Sequence, residues 1–448
     1  MPVSLRTPPL LAELRRRAPA TIDLTLDRMR GLLASLGSPE QRLPPVVHIA
    51  GTNGKGSVLT LLRAMLEADG RRVHAYVSPP LRAVTEAVRL AVLPGVSRDI
   101  ADDAFAGYLD RVLAASNTHP VTSFEAETTA AFLAFAETPA DVLLLEVGMG
   151  GRLDATNVVA TPALTILTPV GLDHQAFLGD TLAKIASAKA GIIKRGVPCV
   201  VARQEEEALD VIEAEASTLR APLTIFGRDF DAYAQNGRLV YQDEDGLLDL
   251  PLPALAGPHQ VENAGTAIAA ALRLGDLRPS SEAIARGLRD VVWPGRFQPL
   301  PALLVRSGLA PGSELWVDGG HNRAAALAIA EALRRRNAAR PLPLHLIVGM
   351  LASRDPRPYL EPLAPLAETI IAVPIPDTSR AYAASHTAAV IAEAARSLGA
   401  RASEADGFEA ALATLALAPT PIRVLIGGSL HLVGAVLEAE SSGPNNGD

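Results

Sequence analysis

One cysteine, Cys199, stands in 448 residues, which excludes an intramolecular disulfide framework and a zinc site built on several thiolates. It lies in the apolar run Pro198-Cys199-Val200-Val201, the setting of a buried strand cysteine rather than of a nucleophile. Aromatic residues are scarce, at 4%, while 48% of the chain is hydrophobic. The apolar content is therefore carried by Ala, Leu and Val, which suits helices packed on a parallel sheet and argues against disorder. No run reaches the ~18 apolar residues of a membrane span. Met1 to Ala20 mixes prolines and arginines with only the short run Leu10-Leu11-Ala12, unlike a secretory signal, so a cytoplasmic protein is expected. Positive charge is not in excess either: the formal net charge is -8. No broad face would offset the repulsion of nucleic-acid phosphates or an anionic membrane, and anionic ligands would need a local basic pocket.

The chain is longer than the roughly 250–300 residues at which a single hydrophobic core stops growing, so two domains and a cleft are expected. From Val46 onward, short apolar runs alternate with helix-periodic stretches, the pattern of a parallel sheet covered on both faces. That pattern predicts strands over 46–50, 73–77, 142–147, 164–167 and 199–202, and helices over 57–68, 124–135 and 180–190. Residues 223–252 break the rhythm with short, turn-rich runs and read as a small β excursion before a helix over 261–272. After Trp293-Pro294-Gly295-Arg296 a second βα series follows, with strands over 315–317, 344–348, 370–373 and 424–426. The Pro-Gly pair marks a linker, dividing the chain into 1–298 and 299–448. The polar tail 441–448 is expected to fray.

Gly51-Thr52-Asn53-Gly54-Lys55-Gly56-Ser57 falls between a hydrophobic strand and a helix. Backbone N–H groups there, with the helix N-terminus, can hold phosphate oxygens. Lys55 would reach the β/γ-phosphates and Ser57 would offer a hydroxyl to Mg²⁺. The strict Walker A spacing is not met, since Gly56 separates Lys55 from Ser57, and a bare turn after a strand is the other reading. Glu146 ends the apolar run Leu143-Leu144-Leu145; a carboxylate there needs a partner, either a metal or an ion pair with Arg152, and ligand sites favour that end of a parallel strand. His174 follows the next strand in Thr168-Pro169-Val170-Gly171-Leu172-Asp173-His174, as a ligand or an ordinary hydrogen-bonded histidine. Lys189 lies in an apolar helical stretch, where a snorkelling lysine is the default. Further on, Asp318-Gly319-Gly320-His321-Asn322 forms a second strand-to-helix junction, where Asp318 or Asn322 could serve only as a cap. His259, Asn263 and Arg296 are further polar candidates, with caps and linker contacts as their ordinary roles.

Taken in order, these motifs resemble the folylpolyglutamate synthase/dihydrofolate synthase family of Mur-like ligases. The resemblance runs from Thr21-Ile22-Asp23-Leu24 to Gly428-Ser429-Leu430, nearly the whole chain. It implies an α/β fold: a P-loop-type parallel-sheet domain binding ATP and the pterin substrate over 1–298, then a smaller Rossmann-like α/β domain binding glutamate over 299–448. It also implies ATP binding by Thr52, Asn53, Gly54, Lys55, Gly56 and Ser57. Ser57, Ser78, Glu146 and His174 match ligands of two Mg²⁺ ions, a monovalent cation is implied beside them, and Lys189 matches a carbamylated lysine. Asn263, Arg296 and Asp318 would contact ATP, and His321 with Ser429 would seat L-glutamate. Thr21, Ile22, Asp23 and Leu24, with Thr122, Ser123, Phe124 and Glu125 and with Leu153, Asp154 and Ala155, match pterin contacts; the first segment implies use of dihydropteroate beside tetrahydrofolate derivatives. The sequence departs from the family pattern at Pro80, Ala87, Ala188, Arg323 and Ser353-Arg354-Asp355.

The expected reaction is ADP-forming. Substrate carboxylate attacks the γ-phosphate, Lys55 and Arg296 stabilise the developing charge, and glutamate's amine then displaces phosphate from the acyl phosphate. Closure of the two lobes would exclude water. Two rivals remain: a peptidoglycan-type Mur ligase, disfavoured because only about 45 residues precede the loop strand, and a catalytically silent nucleotide-binding module. A monomer without nucleic-acid or membrane partners is expected.

Overall fold

The protein is described here from a computed structural model covering residues 5–18, 25–116, 120–376 and 384–442. By Cα packing it divides into two units, Met1–Ala254 with Val261–Val291, and Leu255–Gln260 with Val292–Asp448. The linker reading drew the line at 298/299; by packing, residues 292–298 go with the second unit.

The strands of the first unit are β1 (Val46–Ala50), β2 (Val73–Tyr76), β3 (Val88–Leu93), β4 (Val96–Asp99), β5 (Val142–Glu146), β6 (Leu164–Leu167), β7 (Cys199–Val201), β8 (Leu223–Ile225), β9 (Phe230–Gln235), β10 (Arg238–Asp243) and β11 (Gly246–Pro251). Eight of them form one sheet in the order β4-β3-β2-β5-β1-β6-β7-β8. From β2 to β8 every pairing is parallel. Strands such as β5 are buried along their whole length, as a sheet covered on both faces requires. On one face the helix Ser123–Glu137 lays Phe132 and Phe135 against Leu143 and Leu145; further across that same face, by strand register, Ile192 and Ile212 pack with Ala50, Leu167 and Val201.

Two features correct the expectation of an all-parallel sheet with a separate β excursion. β3 and β4 pair antiparallel and extend the sheet beyond β2. Pro94 and Gly95, the latter at φ 73, make the tight turn between them. The excursion is also not one piece: β8 closes the edge of the main sheet, and only β9, β10 and β11 form a separate antiparallel meander. Stacking of Phe230 on Tyr241 holds its base.

The second unit contains β12 (Gln298–Pro299), β13 (Glu314–Asp318), β14 (Leu344–Val348), β15 (Thr369–Ala372), β16 (Ala402–Glu404) and β17 (Arg423–Gly427). Their order is β12-β13-β17-β14-β15-β16, parallel except for β12. Helices Arg323–Ala339 and Ala388–Ser397 contribute Ile329 and Ile391 to a core with Leu346, Ile370, Leu425 and Tyr359. At the start of β13, buried Glu314 accepts hydrogen bonds from Arg336 at 2.8 Å, Arg423 at 2.8 Å and Arg340 at 3.2 Å. Arg423 is 1% exposed, so this network removes what would otherwise be an uncompensated buried charge. Among the described residues, no helix is long and apolar enough to cross a membrane.

Candidate active site

In the first unit the carboxyl ends of β2, β5, β1 and β6 lie side by side, and each delivers one of the expected polar groups. The chain leaves β1 towards β2 on one side while β6, β7 and β8 build the other, so β1 is the switch point where open α/β sheets bind ligands. Gly51 follows β1 at φ 148, and a Cβ there would lie 1.9 Å from Thr168 Oγ1. Only glycine can pass so close to the end of β6. Gly54 is left-handed at φ 86 and caps the helix Lys55–Ala68; a Cβ on it would stand 2.7 Å from Asn263 Oδ1, which places Asn263 against the loop. Thr52 fastens the loop from below, its hydroxyl 3.0 Å from the carbonyl of Gly171 and its N–H donating to Pro169 O at 2.9 Å.

Two lysines converge on the Gly51 carbonyl. Lys55 Nζ donates to it at 3.1 Å and Lys189 Nζ at 2.8 Å. Lys189 is buried, so the snorkelling reading is wrong: helix Leu182–Ala190 turns this position inward, under the phosphate loop. Burial pushes its amine from the ordinary 10.5 down to about 7, the Lys55 charge adds to that effect, and Asp173 and Asp154 oppose it. Glu146 is buried at the end of β5 with Oε1 4.0 Å from Lys55 Nζ. Its alternative partner, Arg152, pairs instead with Glu215 at 3.0 Å. Ser78 donates its backbone N–H to Glu146 Oε2 at 3.4 Å, while its own buried hydroxyl has no hydrogen-bond partner.

A buried orphan hydroxyl costs about 1–3 kcal/mol unless something else contacts it. With the buried hydroxyl of Ser57 and the Glu146 carboxylate, it forms the hard oxygen set that a divalent cation such as Mg²⁺ prefers. The residues therefore fit that ion. Among the described residues, no cluster of three or more His, Cys, Asp or Glu side chains could hold a metal. His174 stands at the rim, left-handed at φ 52, with 38% of its side chain exposed and Nε2 3.9 Å from Asp173 Oδ1.

The expected pterin contacts are brought together in part. Phe124 packs on Gly148, where a Cβ would meet the ring at 2.5 Å, so residues 122–125 border the loop that contains Leu153, Asp154 and Ala155. Thr122 and Glu125 also form a capping box for their own helix, and Arg28 reaches Glu125 at 3.3 Å. Leu153 is exposed and Ala155 buried. Thr21, Ile22, Asp23 and Leu24 lie outside the described residues.

In the second unit, Asp318 at the end of β13 accepts from Phe297 N at 2.8 Å and Gly320 N at 2.7 Å, so it ties two loops rather than capping a helix. Asn322 is the cap, accepting from Ala325 N at 2.9 Å. Arg296 sits 6.0 Å over the Trp293 ring. Half-buried His259 is held below its usual range by desolvation, opposed by the charge of Asp318. His321 Nδ1 lies 3.0 Å from Gly319 O, and Ser429 caps the helix Leu430–Ser441 by accepting from His431 N at 3.2 Å.

Sequence reasoning passed over Gln204. Its side chain accepts from Val170 N at 2.9 Å and donates to Thr168 O at 3.2 Å, bracing the loop that presents Asp173 and His174. A polar residue shortly after the buried strand β7, on the side where ligands bind, was the available signal.

Comparison with known proteins places this geometry. The Mur ligase middle domain family matches residues 49–271. The folylpolyglutamate synthase of Lacticaseibacillus casei is 32% identical over 428 residues, covering 91% of this chain and 92% of that protein. Escherichia coli FolC, solved in complex with DHPP and ADP, superposes with a TM-score of 0.83 at 31% identity, over 98% of this chain and 99% of that one. The bifunctional folylpolyglutamate synthase/dihydrofolate synthase of Yersinia pestis, solved with AMPPNP and a Mn ion, gives a TM-score of 0.82 at 30% identity, with the same coverage of 98% and 99%.

Proposed function

The chain belongs to the folylpolyglutamate synthase/dihydrofolate synthase family of Mur ligases, and we propose that it joins L-glutamate to dihydropteroate and to reduced folates while converting ATP to ADP and phosphate. The observation that carries this reading is the pair Lys55 and Lys189 on the Gly51 carbonyl, beside Glu146 and at the switch point of the sheet. The loop there offers backbone N–H donors and the Lys55 ammonium to phosphate, a local means of holding an anion in a protein whose net charge is negative.

In this reading residues 52–57 and Asn263 bind the nucleotide phosphates, and Lys55 neutralises charge as the γ-phosphoryl group moves. The pterin-linked carboxylate attacks the γ-phosphorus; its P–O bond to ADP breaks and an acyl phosphate forms. The amine of glutamate, seated by His321 and Ser429, attacks the acyl carbon, loses a proton and expels inorganic phosphate. Arg296 and Asp318 serve the nucleotide. Ser57, Ser78, Glu146 and His174 would hold divalent ions, which supply charge neutralisation at the phosphates; a monovalent cation completes the set. Lys189, with an amine near neutrality, is the residue to take up CO₂ as a carbamate: nitrogen bonds to carbon, one C=O electron pair moves to oxygen and a proton leaves to solvent. Residues 1–298 form the ATP- and pterin-binding domain and 299–448 the glutamate-binding domain of a cytoplasmic monomer.

The test is phosphate release from ATP and Mg²⁺ with L-glutamate, comparing dihydropteroate, tetrahydrofolate and a UDP-muramyl acceptor, with products weighed by mass spectrometry. A gain of one glutamate on either pterin supports the reading and separates its two activities. Gain only on the muramyl acceptor, or no turnover, refutes it. Intact mass should also carry one added CO₂, lost in Lys189→Ala.

A further inference from the structure

Three polar side chains lie sealed in a row beneath the phosphate loop, and no step of the reaction uses them. His48 on β1 and Thr156 are each 0% exposed, and Asp154 is 6% exposed. His48 Nε2 is 2.8 Å from Thr156 Oγ1, which is 2.6 Å from Asp154 Oδ1. The same carboxylate accepts from the N–H of Thr156 at 3.0 Å and of Met149 at 2.9 Å.

These contacts fix the protons. Asp154 is ringed by donors and acts as an acceptor, so the single hydroxyl hydrogen of Thr156 points to it. The lone pairs of Thr156 Oγ1 then face His48, whose Nε2 must donate. The ring has only one proton to give, because burial holds it neutral, with its pKa near 3. Its Nδ1 is left buried without a partner. His48 pairs with Leu145 on one side and Thr165 on the other; an apolar residue could fill this place without a bare ring nitrogen, so the Nε2 contact is what the histidine supplies. Asp154 in turn directs most of its capacity to its own loop. It shapes the stretch 148–155, which Phe124 borders at Gly148.

We propose that His48, Thr156 and Asp154 form a positioning relay that locks loop 148–155 to β1, so that the strand feeding the phosphate loop also sets the seat of the pterin acceptor. None of the three touches the reacting atoms. The relay anchors the acceptor loop to a strand already fixed in the sheet: β1 ends at Ala50, and the far end of the acceptor loop is pinned by Asn157, which donates to Gly191 O at 3.1 Å, just past Lys189. The proposal rests on the reading that residues 153–155 line the acceptor site.

The test is steady-state kinetics of the full chain with dihydropteroate, ATP and glutamate varied in turn. Thr156→Val should raise KM for dihydropteroate by about tenfold, with kcat and KM for ATP within about twofold. Thr156→Ser should restore the parent value. His48→Gln keeps an N–H donor and should stay near the parent, whereas His48→Leu should match Thr156→Val. Should Thr156→Val not fold, the contrast of the two His48 variants, read as the Kd for dihydropteroate, decides the question. Leu153→Ala tests the underlying reading separately. An unchanged KM for dihydropteroate there removes the acceptor loop and the relay's purpose together. A raised KM there, with Thr156→Val either silent or equally damaging to ATP, overturns the relay alone.

Discussion

Replacing Lys189 with methionine should inactivate the enzyme and stabilise it at neutral pH. The opposition follows from where the amine sits: it is 4% exposed, beneath the phosphate loop, with a hydrogen bond of 2.8 Å to Gly51 O. Burial, reinforced by the charge of Lys55, lowers its pKa from 10.5 to about 7. An unfolded chain keeps the proton up to 10.5 and the folded one surrenders it near 7. Between those values the unfolded state binds more protons, so stability rises with pH across the window. The full penalty is present below 7 and gone above 10.5. The gap corresponds to roughly 5 kcal/mol as an upper limit, against which substitution forfeits a hydrogen bond worth about 1 kcal/mol. Methionine is similar in length and uncharged. In bicarbonate-free, metal-free buffer Lys189→Met should therefore gain on the order of 3 kcal/mol at pH 6.5, shrinking towards zero by pH 10. Urea unfolding followed by circular dichroism at pH 6.5, 8 and 10, beside phosphate release, reads both effects. A variant less stable than the parent at pH 6.5, or a difference flat with pH, refutes the lowered pKa of the buried amine. Full kcat refutes its part in the chemistry.

Glu146→Gln keeps the shape at the end of β5 but removes the charge beside Lys55 and Ser78; kcat should fall at least about a hundredfold with an unaltered unfolding midpoint, and a normally active variant would overturn the metal assignment. Gly51→Ala forces a Cβ to 1.9 Å from Thr168 Oγ1 at φ 148, so ATP binding followed by calorimetry should be lost, and retained binding would show that the loop can move aside. Burial pushes the Glu314 carboxyl up, but hydrogen bonds and charges from Arg336 and Arg423 outweigh it and hold the group at about 2. Its stabilisation, about 3 kcal/mol, is present above the ordinary 4.5 and lost as pH falls through 2. Glu314→Ala should destabilise by about 3–5 kcal/mol at pH 7 while the parent weakens between pH 4.5 and 2, and unfolding scans that show no acid-dependent loss would refute the network's weight.

Part of the candidate site is legible in the sequence alone. Gly51 to Ser57 was legible because glycines with a lysine and a serine, set between an apolar strand and a helix N-terminus, present N–H donors suited to phosphate. Glu146 was legible because a carboxylate ending a run of leucines demands a partner. Neither signal extended to Lys189, whose helix is apolar on several sides, so periodicity gave no way to choose between a solvated and a buried amine. The hairpin of β3 and β4 was missed for a related reason: at the sheet's edge the strands are only partly buried, and their alternation is weak.

What the linear chain determined by itself was local. Strand and helix order, the glycine turns, the parallel character of the central strands and the family are written in runs of neighbouring residues, whose periods and capping preferences act over a few positions. What only the tertiary structure decided was which distant groups share a dielectric environment. Lys189 meets the Gly51 carbonyl across 138 positions of sequence, and His48 meets Thr156 across 108. Burial and charge sum over space rather than along the chain, so the lowered pKa of Lys189, the orphan hydroxyl of Ser78 and the proton order of the buried relay came into being only when the sheet brought its strand ends together.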